Sequence, residues 1–376
     1  MRRICYISGT RADFGLMRST LQTIRDCPGL SLEVIATGMH LSSLYGETVS
    51  EIEAAGLEVS ARVAVPLEPA TGATMARNIG RMIEAFVDAL ENRRPDVVLL
   101  LGDRGEMLSG AVAGIHLNLP VAHIHGGERS GTVDESVRHA ISKLSHMHLT
   151  STHGARERLI RMGEDADRIH VTGAPGLDGM AGAIVPERHT VAAAYGLDPA
   201  NPIALMVFHP VLQEAGQAAD ETRRILRALT GAGVQVLALM PNADAGSGAV
   251  RGVLTGMEGR PGVAIRTHLC RTDFIAAMAQ ADLMIGNSSA GIIEAASFGT
   301  PVVNIGSRQN LRERNANVVD VPATDLALAE GVGDALARGR HPVANIYGDG
   351  RAGERIAGLL ASATLDQALL MKVNGY

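Results

Sequence analysis

Short apolar runs alternate with longer amphipathic stretches along nearly the whole chain. Continuous apolar runs such as residues 97–101 are typical of parallel strands that are buried on both faces of a sheet. Alternation of such strands with helices predicts βαβ units, and therefore an α/β fold with doubly wound parallel sheets. The predicted strands cover residues 3–8, 32–37, 58–65, 96–102, 120–125, 147–151, 169–172, 203–208, 234–240, 263–267, 282–286, 301–305 and 317–321. Predicted helices include residues 13–26, 75–91, 132–145, 214–230 and 323–338.

The chain is long enough for two domains. Its 376 residues exceed the usual size of one domain, and 46% of them are hydrophobic, so two sizeable cores are expected. The Gly- and Pro-rich stretch around residues 173–176 is the predicted boundary. We therefore expect a Rossmann-like domain over 1–174, a second over 175–352, and a terminal helix over 353–376 that crosses back to the first. The two domains would face each other across a central cleft, with ligands at the carboxyl ends of the strands.

Composition and charge exclude several classes of function. A formal charge of −6 gives no general attraction to nucleic acid or to an anionic membrane. Aromatic residues make up only 3%, which disfavours a stacking platform for bases. The three cysteines are scattered, and the short apolar run after Arg2 and Arg3 is followed by charged residues. The sequence thus predicts a cytoplasmic protein without a signal peptide or a membrane span.

Three polar clusters follow strands in the first half of the chain, and two of them are short. The segment 8–13 contains Arg11 beside a predicted helix start, where free backbone N–H groups would attract an anion; an ordinary βα turn is the alternative. Asp103 and Arg104 follow the most apolar strand, and their alternative roles are a helix N-cap and a surface ion pair. Because the carboxyl ends of parallel strands meet at one sheet edge, such clusters favour a ligand site.

The densest polar segment is 123–135, which gathers imidazoles, carboxylates and glycines within a short distance. His125, Glu128 and Asp134 provide the groups that paired acid–base chemistry requires. A metal site is an alternative, but no HExxH or comparable ligand motif is present. Asp134 has a structural alternative as well, as the cap of a helix that begins near Ser136.

The second half contains the segments 208–210, 241–244 and 286–294, each directly after a predicted strand. His209 and Asn242 carry little information alone. The segment Gly286-Asn287-Ser288-Ser289-Ala290-Gly291 is more specific, because small residues between a strand and a helix expose backbone N–H groups that suit a diphosphate. Glu294, one turn further, is a candidate for the ribose hydroxyls. Neither a Walker loop nor a GxGxxG motif is present.

Eleven motifs occur in a fixed order between residue 3 and about residue 360. They are GTRADF, TGMH, LGDR, HIHGGE, SGTVDE, RHAISKLSH, FHP, PNADAGS, GNSSAGIIEA, GTPVVNIGSRQ and NIYGDG. Together they resemble the hydrolysing UDP-N-acetylglucosamine 2-epimerases of sialic-acid biosynthesis, which have the GT-B fold. The resemblance implies conversion of UDP-N-acetylglucosamine and water to N-acetylmannosamine and UDP, with no cofactor and no metal, by a homodimer or homotetramer.

By motif match, the resemblance assigns roles to individual residues. Acid–base roles fall on Asp103 and Asp134. Family members commonly have HIEGGE where this chain has HIHGGE, so the family's carboxylate falls on His125, and whether His125 or Glu128 carries that proton transfer stays open. Nucleotide contacts fall on Arg11, Arg104, His209, Asn242, Ser288, Ser289, Glu294 and Arg308.

Several functions remain open at this level. Close relatives in legionaminic-acid pathways use UDP-2,4-diacetamido-2,4,6-trideoxyglucose, which is the alternative substrate. A GT-B glycosyltransferase would use the same nucleotide loop, and a non-hydrolysing epimerase would keep UDP attached. A non-catalytic UDP-sugar sensor would bind the nucleotide sugar without exchanging the proton on carbon 2.

Overall fold

A computed structural model of the chain describes residues 1–180 and 182–375. All thirteen predicted strands are confirmed, and their ends agree within two residues. The strands are β1 (Arg2–Ser8), β2 (Leu30–Thr37), β3 (Glu58–Val63), β4 (Val97–Leu101), β5 (Val121–Ile124), β6 (Met147–Thr150), β7 (Ile169–Val171), β8 (Ile203–Val207), β9 (Gln235–Leu239), β10 (Val263–Arg266), β11 (Leu283–Gly286), β12 (Val302–Ile305) and β13 (Val318–Val321).

The helices lie between these strands and after the last of them. They are α1 (Arg11–Asp26), α2 (Val49–Ala54), α3 (Gly72–Arg93), α4 (Gly105–His116), α5 (Val133–Leu144), α6 (His153–Arg161), α7 (Arg188–Ala194), α8 (Ala218–Gly231), α9 (Ser247–Thr255), α10 (Arg271–Gln280), α11 (Ser289–Ile293), α12 (Asp325–Arg338), α13 (Ala352–Ser362) and α14 (Gln367–Leu370).

The strands form two parallel sheets. The first has the order β3-β2-β1-β4-β5-β6-β7, and the second has the order β10-β9-β8-β11-β12-β13. In each sheet the strand order reverses once, between β1 and β4 and between β8 and β11. Ligands of doubly wound sheets bind in the crevice beyond the carboxyl ends of strands at such a reversal. The polar segments 8–13, 102–106, 208–210 and 286–291 follow these four strands.

The strands are apolar on both faces because each sheet lies between two layers of helices. In β4, Val97, Leu99 and Leu101 belong to the core on one face, whereas Val98 and Leu100 belong to the core on the other. Each fully buried side chain of this kind contributes about 1.5–3 kcal/mol. Continuous hydrophobicity in β4 therefore reflects burial on both faces, as its sequence predicts.

Helices α13 and α14 pack against the helical layer of the first sheet that contains α1. Ala352, Ile356 and Leu360 of α13 join the core that contains α1. The backbone N–H of Ala352 donates to Asp178 Oδ1 at 2.8 Å, so a side chain from the segment between the sheets caps the start of α13. The domain boundaries at residues 174 and 352 stay a prediction.

Two structural alternatives for site residues are wrong. Helix α5 begins at Val133, and the hydroxyl of its N-cap Thr132 accepts the N–H of Asp134, which places Asp134 inside the first turn rather than at the cap. Helix α4 begins at Gly105 with Arg104 as its N-cap residue, so Asp103 lies outside the helix and does not cap it.

Candidate active site

A cleft lies where the carboxyl ends of the two sets of strands meet. It contains a concave cavity lined by residues of both sets of strand ends, which is the usual shape of a small-ligand site. Arg11 and Glu51 line it from the side of the first sheet, and the segments after β8 to β11 line it from the second. Six of the twelve predicted site residues line this cavity, namely Arg11, His209, Asn242, Ser288, Ser289 and Glu294.

The segment after β11 forms one wall of the cavity. Gly286 has a φ of 134°, and a Cβ there would lie within 3.0 Å of the Val207 carbonyl oxygen, so only glycine lets β11 end this close to β8. Ser288 is the N-cap of α11, and its Oγ accepts the N–H of Ala290 at 3.3 Å. Both Ser288 and Ser289 are partly exposed and line the cavity, where their hydroxyls can meet an anion.

Glu294 lies deeper in the same wall. It is 2% exposed, and its Oε2 accepts a hydrogen bond from Arg271 Nη1 at 2.5 Å. Burial raises the pKa of Glu294, and the neighbouring Arg271 works against that rise. Arg271 also donates to the Gly176 carbonyl at 2.5 Å. The ion pair therefore holds a nearly dry carboxylate at the cavity wall, where it can accept hydrogen bonds from hydroxyls.

His209 is a neutral donor at this site. Burial and the nearby Arg308 lower its pKa to about 3. The backbone N–H of Asn242 donates to His209 Nδ1 at 3.4 Å, so the neutral ring carries its hydrogen on Nε2. Asn287 fixes the backbone of His209 through two hydrogen bonds, of 2.8 and 2.7 Å. His209 can therefore support an anion by hydrogen bonding but not by charge.

Arg11 supplies a cation beside the start of α1, where Asp13 and Thr10 already accept some of the backbone N–H groups. The carboxylate of Asp13 accepts the N–H groups of Gly9 and Thr10 at 3.1 and 2.7 Å, and the Thr10 hydroxyl accepts the N–H of Asp13. The side chain of Asp13 thus occupies the N–H groups that directly precede the helix, and anion binding at the helix start stays a prediction. Arg11 Nη2 donates to the Met240 carbonyl at 3.2 Å, and Nη1 is buried without a hydrogen-bond partner among the described residues. Burial, followed by the nearby Arg251, lowers the pKa of Arg11 to about 10.

The remaining predicted residues form a charged cluster beside the cavity. The cluster consists of Asp103, Arg104, His125, Glu128, Asp134 and Arg308. Arg104 Nη2 lies 3.3 Å from Asp244 Oδ1, which joins the segment after β4 to the segment after β9. Burial would raise the pKa of Asp244, but Arg104 and Arg308 outweigh it and lower that pKa.

His125 and Glu128 form a buried pair. His125 Nδ1 lies 2.6 Å from Glu128 Oε1, and Glu128 is fully buried. Burial would raise the pKa of Glu128, but the charges of His125 and Arg312 outweigh it and lower the pKa to about 2. His125 has a φ of 65°, an arrangement that costs a non-glycine residue about 1–2 kcal/mol. Its N–H donates to the Leu149 carbonyl at 3.1 Å, which helps to hold that conformation.

The neighbouring His123 has a structural role. Its Nε2 donates to the Gly102 carbonyl at 2.7 Å, and its Nδ1 pairs with Ser142 Oγ at 3.1 Å. Burial lowers the pKa of His123 to about 3, so the ring is neutral and ties β5 to the end of β4. Of the two imidazoles in HIHGGE, only His125 is directed into the charged cluster.

Arg308 joins the charged cluster to the cavity wall. Its Nη1 donates to the Asn287 carbonyl at 3.1 Å, and its Nη2 lies 3.7 Å from Asp134 Oδ2. Asp103, in contrast, is paired with Arg138, a fully buried residue of α5. The two predicted acid–base aspartates therefore have different cationic partners.

Three arginines of the site are missing from the sequence prediction. Arg271 follows β10 just as the predicted residues follow their strands, and Arg138 lies one turn after Asp134 on α5. Arg312 lies four residues after Arg308, in the same segment that follows β12. Their positions after strands are therefore the signal for Arg271 and Arg312. Arg138 begins the motif RHAISKLSH, but its partner Asp103 is identified only by the packing of α5.

No helix within residues 1–180 and 182–375 is long and apolar enough to cross a membrane. Among the residues that the structure describes, no group of three or more His, Cys, Asp or Glu side chains is arranged to hold a metal ion.

The two parallel sheets, and the cleft at the reversal points of both, define an α/β enzyme with a GT-B-like fold. Residues 22–361 match the model of the UDP-N-acetylglucosamine 2-epimerase family. The chain belongs to this family, which confirms the resemblance drawn from the eleven motifs.

Curated relatives cover most or all of the chain. UDP-N,N'-diacetylbacillosamine 2-epimerase (hydrolyzing) from Legionella pneumophila is 46% identical over 376 residues, which is 100% of both chains. UDP-N-acetylglucosamine 2-epimerase from Neisseria meningitidis is 34% identical over 93% of this chain and 92% of its own. GDP/UDP-N,N'-diacetylbacillosamine 2-epimerase (hydrolyzing) from Campylobacter jejuni is 32% identical over 86% and 85%.

Solved structures share the fold at low sequence identity. The N. meningitidis UDP-GlcNAc 2-epimerase bound to UDP-GlcNAc superposes with a TM-score of 0.79 at 17% identity, covering 96% of this chain and 100% of its own. The Methanocaldococcus jannaschii UDP-GlcNAc 2-epimerase in complex with UDP-GlcNAc and UDP gives 0.79 at 18%, with the same coverage. The predicted α/β, GT-B-like fold is confirmed.

Proposed function

We propose that the enzyme removes UDP from a UDP-2-acetamido sugar by elimination and then hydrates the product with inversion at carbon 2. One observation carries the proposal. Arg308 touches both the segment after β11, through Asn287, and the carboxylate of Asp134. A cation in that position can stabilise a leaving diphosphate next to a proton-transfer group.

The chemistry of the substrate requires this combination. The proton on carbon 2 is not next to a carbonyl group, because the acetamido group is attached through nitrogen. A side chain of ordinary basicity removes it only if the bond from carbon 1 to the diphosphate breaks in the same step or earlier. The site must therefore stabilise charge on the leaving diphosphate while a base stands beside carbon 2.

The two parts of the site supply these functions. The cavity wall offers the hydroxyls of Ser288 and Ser289, the N–H of His209 and the charge of Arg11 to the diphosphate, and Glu294 to the ribose. Asn242 and Arg104 complete the nucleotide contacts at the edge of the cavity. In the charged cluster, Asp103, His125 and Asp134 are the candidates for the two proton transfers.

The proposed reaction is balanced in two steps. A base takes the proton from carbon 2 as the carbon 1–oxygen bond breaks, which releases UDP and leaves a 2-acetamidoglucal. Water then adds its hydroxyl to carbon 1, and a proton returns to carbon 2 from the opposite face. Two proton-transfer groups on opposite faces of the ring meet this requirement.

UDP-2,4-diacetamido-2,4,6-trideoxyglucose (UDP-N,N'-diacetylbacillosamine) is the substrate we favour. The supporting observation is the full-length, 46% identical L. pneumophila relative, whose name states that substrate. UDP-N-acetylglucosamine is the second candidate, supported by the 34% identical N. meningitidis relative. The two sugars differ at carbons 4 and 6, where an unpaired buried polar group discriminates strongly.

Kinetics on both nucleotide sugars under identical conditions test the substrate. We expect a kcat/KM at least tenfold higher for the diacetamido sugar, since burying one polar group without a partner costs about 1–3 kcal/mol. A preference for UDP-N-acetylglucosamine would reverse the assignment. Binding of both sugars without UDP release would indicate a sensor, and release of UDP only with an added acceptor would indicate a glycosyltransferase.

Deuterated water tests the elimination. The hexosamine product should carry deuterium at carbon 2, since the proton there comes from solvent. Product without deuterium at carbon 2 would exclude elimination and hydration. Recovery of an epimerised sugar still bound to UDP would instead indicate the non-hydrolysing reaction.

A further inference from the structure

The segment after β12 reaches from the second sheet into the charged cluster of the first. Arg308 of this segment contacts Asn287 and Asp134, as described. Four residues later, Arg312 Nη1 is paired with Glu128 Oε2, and its Nη2 lies 3.8 Å from Asp103 Oδ2. Arg312 is 9% exposed, so this contact is almost free of water.

Both carboxylate oxygens of Glu128 are engaged by protein groups. Its Oε1 accepts from Ser151 Oγ at 2.5 Å and lies 2.6 Å from His125 Nδ1, and its Oε2 is paired with Arg312. The pKa of about 2 agrees with an ionised carboxylate. A buried, ionised carboxylate with a protein partner on each oxygen is poorly placed to take a proton from the substrate.

Glu128 instead determines which nitrogen of His125 is basic. A carboxylate at Nδ1 holds the hydrogen on that nitrogen, so Nε2 is the nitrogen that can exchange a proton. His125 lies close enough to Glu294 to affect the charge balance at the cavity wall. The imidazole is therefore oriented by Glu128 and lies buried beside the cavity lining.

We propose that Glu128 and Arg312 are positioning residues, which hold His125 for proton transfer only when the second sheet's segment is seated on the first. The inference rests on the proposed role of His125. It answers the question that HIHGGE leaves open: His125 exchanges the proton and Glu128 does not. It also adds Arg312, through which the nucleotide side of the cleft is coupled to the acid–base side.

A matched pair elsewhere in the first domain provides the control. His148 Nε2 lies 2.8 Å from Glu164 Oε2, and Lys143 and Lys372 lie 2.7 and 2.5 Å from the same carboxylate. Glu164 is 3% exposed, and its pKa is also about 2, because its hydrogen-bonded partners His148, Lys143 and Lys372 outweigh the effect of burial. It is a buried His–Glu pair with cationic support but without contact to the cleft residues.

The test compares Glu128→Gln, Arg312→Met, their double variant, His125→Ala and Glu164→Gln. Measurements are kcat for UDP release from the better substrate, the Kd of UDP and the thermal unfolding midpoint. We expect Glu128→Gln and Arg312→Met to lower kcat at least about tenfold while the Kd of UDP changes less than about threefold. The double variant should be no slower than the slower single variant, since both act through one carboxylate.

Glu164→Gln separates positioning from folding. It should lower the unfolding midpoint by about as much as Glu128→Gln while leaving kcat within about twofold. The double variant removes both charges of the Arg312 pair, so it should fold even if a single variant does not. The inference is overturned if kcat is unchanged in Glu128→Gln and Arg312→Met. It is also overturned if Kd rises as much as kcat falls, or if the double variant is more than tenfold slower than both singles.

Failure of the proposed function would look different. If the wild-type chain releases no UDP from either sugar, or if His125→Ala retains full kcat, the proposed role of His125 is wrong irrespective of Glu128. If His125→Ala loses activity while Glu128→Gln and Arg312→Met keep it, only the positioning role fails.

Discussion

Asp103 and Asp134 differ in what depends on each carboxylate. Asp103 neutralises Arg138, which is fully buried, whereas Asp134 is partly exposed and lies 3.7 Å from Arg308. A fully buried cation that loses its partner is left uncompensated, whereas Arg308, which is partly exposed, is still solvated when Asp134 is lost. The same substitution at these two positions therefore has different consequences for folding.

Asp134→Asn should lower kcat about 10²–10⁴-fold, the usual contribution of a general acid or base, and leave the Kd of UDP and the unfolding midpoint nearly unchanged. Asp103→Asn should lower kcat as well and cost about 3 kcal/mol of stability, because Arg138 loses its charge partner. Steady-state kinetics, UDP titration and thermal unfolding of both variants check this. Equal stability of the two variants would contradict the assigned role of Asp103.

Gly286 is a second residue whose effect is local. A Cβ at this position meets the Val207 carbonyl, and its φ of 134° is unfavourable for other residues. Gly286→Ala should destabilise the protein by more than about 3 kcal/mol and weaken UDP binding. Gly80→Ala is the control, since Gly80 is an exposed residue of α3 with nothing within 4 Å of its added Cβ. That change should stabilise the protein by about 0.5–1 kcal/mol, as glycine is unfavourable inside a helix.

At the scale of elements, the start of α5 positions a catalytic candidate. The Thr132 hydroxyl accepts the N–H of Asp134 at 3.3 Å, so the N-cap sets the direction in which Asp134 leaves the first turn. Further along the same helix, Arg138 binds Asp103. Helix α5 therefore connects the two aspartates, and a change at its start should reach the chemistry.

Thr132→Ala should cost about 1 kcal/mol through loss of the cap. It should also lower kcat by about tenfold or more, because small displacements of a catalytic group are costly. Thr324→Ala is the control, since Thr324 caps α12 by accepting the N–H of Ala327 at 3.4 Å. Denaturant unfolding should give similar losses for both, and only Thr132→Ala should change kcat. A drop in kcat for Thr324→Ala would mean that stability alone limits activity.

At the scale of the whole molecule, burial of imidazoles makes stability depend on pH. Burial is the leading cause that lowers the pKa of seven histidines. These are His40, His123, His139, His146, His148, His170 and His209. Below the ordinary value of 6.5 the unfolded chain binds protons that the folded chain does not, so stability falls as pH falls. Glu128 and Glu164, with pKa values of about 2, act in the same direction between pH 4.5 and 2.

The thermal unfolding midpoint should therefore decrease steadily from pH 7.5 to pH 5 at constant ionic strength. A loss of several degrees is expected, since roughly 1 kcal/mol corresponds to about 2–4 °C for a domain of this size. Glu294, whose pKa is raised by burial, acts in the opposite direction, but it is a single group against seven histidines. A midpoint that is flat or rises toward pH 5 would contradict the assignment of neutral buried histidines.

Local sequence determined the elements and most of the site's members. The run 97–101 predicts β4 because a strand buried on both faces has to be apolar throughout, and Gly286 is needed where β11 ends against β8. Residues 102–106 and 286–291 are candidates for the site because each directly follows a strand. The motif order adds the family, since the matching positions are spread over nearly the whole chain.

Tertiary structure decided how these members are connected. Sequence spacing does not show that Asp103 pairs with Arg138, or that Arg312 reaches across the cleft to Glu128, because these partners lie on different elements whose approach depends on packing. It also does not show that Asp13 accepts the N–H groups of Gly9 and Thr10 just before α1. A charge can be identified from its residue type, but its function depends on which opposite charge and how little water surround it, and only the folded chain sets both.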